Sequence, residues 1–164
     1  MRRIMADKLP LIVIFVSAGC AVGFAVFMLY KRRREYFYEL NAFVGKYLSS
    51  VMYSKDTVVK VIQGFETSSK LLSKHLGEFV DGKKNSSAPQ FSPSYLKKAE
   101  IAYVKSLFAL LGTSDAGTQK SSVGGKREEL LSFLAAAEEK LNKNGGSSIK
   151  LGFFGGLLIS ILCL

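Results

Sequence analysis

Two stretches without a single charge decide what this chain can fold into. Residues 10–30 read PLIVIFVSAGCAVGFAVFMLY, and residues 151–164 read LGFFGGLLISILCL. Between them, residues 31–150 hold 20 of the 23 Lys and Arg and 12 of the 13 Asp and Glu, a net charge of +8. A water-soluble domain disperses its apolar residues among polar ones, so that each helix or strand can show one face to water. Here the apolar residues are concentrated at two ends and the charges in the middle.

As an α-helix, residues 10–30 extend about 31 Å, close to the thickness of a bilayer core, about 30 Å. Pro10 falls at the expected first helical position, where a missing N–H costs nothing. A cleaved signal peptide is the rival reading, since SAGC at 17–20 resembles a lipoprotein cleavage box. That box ordinarily has an aliphatic residue where Ser17 stands, and the apolar run continues ten residues past Cys20. An uncleaved span is the better reading. The tail is shorter, about 24 Å as a helix from Ile149 and about 27 Å from Ser147. It nearly crosses with local thinning of the bilayer, or else lies half-inserted.

Basic residues flank both segments. Lys31, Arg32, Arg33 and Arg34 follow the first, and Lys150 immediately precedes the second. Cytoplasmic flanks are enriched in Lys and Arg, which places the middle of the chain in the cytoplasm. The expected organisation is a short extracytoplasmic N-terminus (1–9), a transmembrane helix (10–30), a cytoplasmic helical domain (31–146) and a second transmembrane helix (147–164). Membrane lipid is therefore a partner, with the KRRR cluster and Lys150 at the headgroups. Nucleic acid is a weaker reading of the same charge, because the lysines are spread over many helices and KRRR abuts a span.

The middle segment reads as all-α. Tyr36, Phe37, Leu40, Phe43, Val44, Tyr47, Leu48 and Val51 recur every three or four residues. A second helix is expected over TVVKVIQGFE, capped by Ser54 or Asp56, and a third over 67–81. Residues 81–90 read as a loop. Ser92 and Pro93 then open a helix whose inner face carries Tyr95, Ala99, Ala102, Tyr103, Leu107, Leu110 and Leu111, stopping at Gly112. Residues 113–125, rich in Ser, Thr and Gly, read as a turn, and the last helix as 126–143.

The chemistry of an enzyme is not visible. GGKR at 124–127 has Lys120 where a phosphate-binding loop needs Gly, and Arg127 where it needs Ser or Thr. Glu128–Glu129 and Glu138–Glu139 are adjacent pairs pointing about 100° apart on a helix, so they suit solvated faces rather than a carboxylate dyad. His75 is expected at the edge of an apolar helix face. Cys20 and Cys163 both lie in the apolar ends, so neither offers the middle a disulfide or a metal site. No cofactor is implied.

Small residues mark the apolar ends. Gly19 and Gly23 are four apart, as are Gly152 and Gly156, with Gly155 beside them. Such spacing lets membrane helices approach closely, so the tail is expected to pack on the first span or on a neighbouring subunit.

The turn Leu111–Gly112–Thr113, the glutamate-rich helix after it, and the closing Leu151–Gly152–Phe153, Gly155–Gly156 and Leu157–Leu158 resemble the stage III sporulation protein AB family. The layout of one span at each end of a helical domain matches as well. The resemblance implies a non-catalytic platform, similar to the F protein of type II secretion and type IV pilus systems. Its implied partners are the other stage III A membrane proteins and a cytoplasmic secretion-type ATPase, in an oligomeric assembly on the mother-cell side of the outer forespore membrane. An F-like platform outside sporulation, or a tethered basic domain, are the other readings.

Overall fold

The computed structural model describes residues 2–53, 57–85, 91, 95–113 and 116–162. Among them every regular element is helical and there is no strand, so the protein is all-α. The elements are α1 (Arg2–Tyr53), α2 (Val58–Gln63), α3 (Lys70–Lys84), α4 (Lys98–Leu110), α5 (Ala116–Lys140), a π-helical segment (Leu141–Gly145) and α6 (Gly146–Leu162). The chain divides into two compact units, one made of Met1–Arg32 and Ala137–Leu164, the other of Arg33–Ala136.

The helical unit Arg33–Ala136 is built on the second half of α1. Tyr36, Phe37, Leu40, Phe43, Val44 and Tyr47 are buried, while Leu48 and Val51 are half-buried at the end of the stripe. They meet Val61 and Ile62 of α2, Leu72, Leu76 and Phe79 of α3, Val104, Leu107 and Phe108 of α4, and Val123 and Leu130 of α5 in one apolar core. Aromatic rings fill its centre. Phe43 stacks on Phe108 at 6.4 Å, and Phe108 meets Phe79 and Phe91 edge-on at 5.3 and 5.1 Å. Each such ring contributes about 1.5–3 kcal/mol by leaving water.

Several boundaries differ from the sequence reading, each for a local reason. α1 begins at Arg2, so Pro10 lies inside the helix and not at its start. Residues 2–9 contain no Gly or other Pro to stop it. Ser54 and Asp56 lie outside the described residues, and α2 is capped instead by Thr57, whose hydroxyl accepts from Lys60 N at 3.4 Å. α3 starts late, at Lys70, with Ser69 as its cap. It also runs past Asp81 to Lys84.

Ser92 and Pro93 lie outside the described residues. α4 starts at Lys98, and Glu100 reaches back to accept from Lys97 N at 2.8 Å. Its buried stripe is Glu100, Tyr103, Val104, Leu107 and Phe108, while Ala99 and Ala102 are exposed. The large side chains set the phase and the alanines follow.

The expected turn at 113–125 is largely helix, because α5 begins at Ala116. Gly124 and Gly125 each cost a helix about 1 kcal/mol relative to Ala. Gln119 and Val123, buried one turn apart, hold this stretch against the core and outweigh that cost. GGKR is thus part of a helix.

The remaining unit pairs the first half of α1 with α6. The two run antiparallel, with Phe27 against Gly145, Gly23 against Ser148 and Ile149, and Gly19 against Gly152 and Gly156. Ala137 and Gly145 are both buried on the same strip of helix, eight residues apart. Two α-turns take about 7.2 residues. The π segment between them absorbs the excess and keeps Gly145 facing Phe27.

Candidate functional site

Close approach is the dominant feature of the unit formed by Met1–Arg32 and Ala137–Leu164. A Cβ added at Gly23 would stand 2.6 Å from Ser148 O, and one at Gly156 2.6 Å from Phe15 O. Cβ atoms at Gly19 and Gly152 would strike each other's backbone carbonyls. Backbone thus lies on backbone from Phe15 to Gly23 of α1 and from Ser148 to Gly156 of α6, about two turns of each helix, a distance that side chains larger than hydrogen forbid. Gly155 stands apart from this seam. A Cβ there meets nothing, and Gly155 lines an apolar groove of about 320 Å³ with Phe15, Ala18, Val22, Leu151 and Ile159. Cys20 is half-buried in α1 with a free thiol, and Cys163 lies outside the described residues.

The basic cluster separates into different environments. Lys31 and Arg32 are exposed. Arg34 is half-buried, its guanidinium 4.8 Å from the centre of the Tyr38 ring. Arg33 is only 8% exposed. Its Nε donates to Glu100 Oε1 at 2.9 Å and its Nη2 donates to the same oxygen. Sequence reading grouped Arg33 with headgroup-facing neighbours, but its charge is spent on Glu100. Lys150 is exposed, and the register of α6 on α1 sets it opposite Val22 and Gly23, well inside the apolar run that Lys31 closes.

Tyr36 and His75 form a second buried polar contact of this unit. Tyr36 Oη is 2.9 Å from His75 Nδ1, and the His75 ring packs against Tyr36 and Phe91. At 1% exposure, His75 is deeper than the edge position its sequence context suggested. Burial pushes the Tyr36 phenol far above its usual range, with Tyr95 and Tyr103 adding to the effect. Burial does the same for Tyr103, reinforced by the charge of Glu129. Phenols so displaced stay protonated and act as hydrogen-bond donors. Tyr103 donates to Lys126 O at 2.6 Å, fastening α4 to α5.

The turn Leu111–Gly112–Thr113 ends α4. Gly112 has φ +73°, the left-handed region where a side chain is strained. Leu111 is buried, and Thr113 Oγ1 donates to Leu110 O at 3.0 Å. Gly112 N donates to Tyr47 Oη at 3.1 Å, and that hydroxyl donates onward to Gln119 Oε1. One phenol of α1 therefore ties the end of α4 to the start of α5.

Two features escaped the sequence reading. Glu100 gave no signal beyond its place three residues after Lys97, because its partner is 67 residues away. Glu39 collects the segment before α3, accepting from the hydroxyls of Thr67 and Ser68 and from Ser69 N at 3.2 Å. Its partial burial works to raise its pKa, but the bonds from Ser68, Thr67 and Ser69 prevail and lower it. Glu128 and Glu129 are exposed on α5, as is Glu139, while Glu138 is half-buried. Glu129 pairs with Lys126 and Glu139 with Lys143, each at 2.8 Å. Among the described residues no His, Cys, Asp and Glu side chains gather into a group that could hold a metal.

The family model described as stage III sporulation protein AB matches residues 8–164. The chain belongs to that family. No curated protein and no solved structure matches it. In this member of the family, the chain places the turn Leu111–Gly112–Thr113 at the junction of α1, α4 and α5. It places the closing glycines Gly152 and Gly156 in the seam with α1. Two of its helices contain stretches long and apolar enough to cross a membrane, within Pro10–Val51 and Gly117–Leu162.

Proposed function

We infer that this stage III sporulation protein is a membrane-anchored structural platform. The apolar half of α1 and α6 hold it in the bilayer as a helical hairpin, and the unit Arg33–Ala136 lies in the cytoplasm of the mother cell. There it offers surfaces to the other stage III A membrane proteins and to a cytoplasmic secretion-type ATPase, whose work the platform transmits. The chain itself performs no covalent chemistry in this reading. The observation that carries it is the family match over residues 8–164, on a chain with two membrane-length helices and one well-packed helical unit.

Topology and partnership are tested together. Ser121 is exposed on α5. In a chain carrying Cys20→Ala and Cys163→Ala, a cysteine at Ser121 is expected to resist an impermeant thiol reagent in intact cells and to react after lysis. The tagged parent is expected to retain the ATPase through membrane solubilisation. Labelling of intact cells would remove the cytoplasmic motor from reach and overturn the platform reading. So would quantitative loss of the ATPase under conditions that keep the other membrane partners.

A further inference from the structure

Lys150 is the single charge between Lys143 and Leu162. The register of the hairpin fixes its depth. Ile149 lies against Gly23, and Gly152 against Gly19 and Gly23, so Lys150 is level with about Val22. Tyr30 ends the apolar run of α1, eight residues further along, which is about 12 Å of helix. The surroundings at that level are apolar. Val22 is 65% exposed, Leu151 71% and Phe154 60%. Lys150 is itself exposed, pointing away from α1, and among the described residues its ammonium has no hydrogen-bond or ion-pair partner.

A lysine in a membrane segment usually escapes by extending its side chain to the headgroups. Five bonds of about 1.5 Å give it a reach of about 6 Å, half the distance required here. A charge left in hydrocarbon is costly, and such residues pair within protein or face a polar cavity. The flank of the helix leading to Lys150 is polar as well. Lys143 and Ser147 lie seven and three residues before it, on the same face, and both are exposed. This flank of the hairpin is built to be covered by something other than lipid tails.

We propose that Lys150 is an intramembrane docking cation, received by an Asp or Glu in a transmembrane helix of a different protein of the assembly. A second copy of this chain cannot supply the acid from its spans, because residues 10–30 and 144–162 contain none. The partner is therefore recognised by one buried carboxylate among apolar residues, about two-fifths of the way into the bilayer from the cytoplasmic face. This rests on the membrane reading of the hairpin above.

The test uses the full chain in membranes of a sporulating host, with a benzophenone amino acid in place of Phe154, one turn from Lys150. Illumination is expected to join the chain to a protein whose cross-linked apolar segment contains Asp or Glu. Lys150→Met is expected to lower that adduct at least about tenfold, a change of about 1.4 kcal/mol, while Lys150→Arg keeps it. Lys150→Glu combined with reversal of the partner's acid to Lys restores it. An adduct with phospholipid alone, a cross-linked segment lacking any acid, or equal adducts from the parent and Lys150→Met each overturn the proposal. Resistance of the parent to alkaline extraction reports separately on the membrane reading. A parent that inserts but ignores residue 150 overturns only the docking cation, whereas an extractable parent overturns both.

Discussion

Glu100 brings a carboxylate to 2% exposure inside a largely apolar core, where Arg33 meets it with a side chain 10% exposed. Removing one member strands the other. Glu100→Ala is expected to destabilise the helical unit by about 3–5 kcal/mol, read as a lowered midpoint in thermal unfolding of the detergent-solubilised chain. Arg33→Met with Glu100→Leu should recover most of that loss, since neither charge is then stranded. A single mutant as stable as the parent would mean that the pair is solvated. Glycines offer a second comparison at this scale, with opposite signs. Gly112→Ala forces a side chain into φ +73° and sets its Cβ 3.3 Å from Val58 Cγ1. It should destabilise by about 1–2 kcal/mol. Gly124→Ala meets open space within α5, and should stabilise by about 0.5–1 kcal/mol through better helix propensity. Melting both variants in parallel checks the sign.

Helix pairing depends on where glycines stand and not on how many there are. Gly152→Ala places a methyl against the carbonyl of Gly19, whereas Gly155→Ala places one in open space. The first is expected to part α1 from α6 and the second to leave them paired. Disulfide trapping between cysteines at Phe27 and Gly145, which face each other, measures the difference. Equal trapping in both variants would show that the seam does not depend on close approach. The π segment belongs to the same argument. It lies between Ala137 and Gly145, both buried, and takes up the residue by which their spacing exceeds two α-turns.

At the scale of the molecule, the two units have different cores. Rings and aliphatic side chains from five helices fill Arg33–Ala136, and a unit with its own core is expected to fold by itself. A fragment of residues 33–140 is expected to be monodisperse and strongly helical, to melt cooperatively, and to turn over no nucleotide. Circular dichroism and a phosphate-release assay check these together. A non-cooperative melt would mean that the hairpin completes the core. Hydrolysis by the pure fragment would overturn the structural reading of the family member.

The sequence alone determined the features that rest on one-dimensional patterning. An apolar run of membrane length, a three-to-four residue stripe from Tyr36 to Tyr47, and a glycine ending α4 are each legible, because partner and signal lie within a few turns of one helix. The turn Leu111–Gly112–Thr113, the glutamate-rich helix after it and the closing segment, in a chain with an apolar run at each end, were enough to point to the family. Tertiary structure decided what depends on distant partners. The 113–125 stretch has a turn's composition, yet Gln119 and Val123 make most of it helix by binding to a core that the local sequence does not contain. Arg33 reads as a member of a basic cluster until Glu100, 67 residues on, removes it from that cluster. Lys150 reads as a flank of the tail until the antiparallel register sets it beside Val22. In all three the deciding energy is a contact between helices, and a contact between helices is fixed by packing geometry rather than by the order of residues along either one.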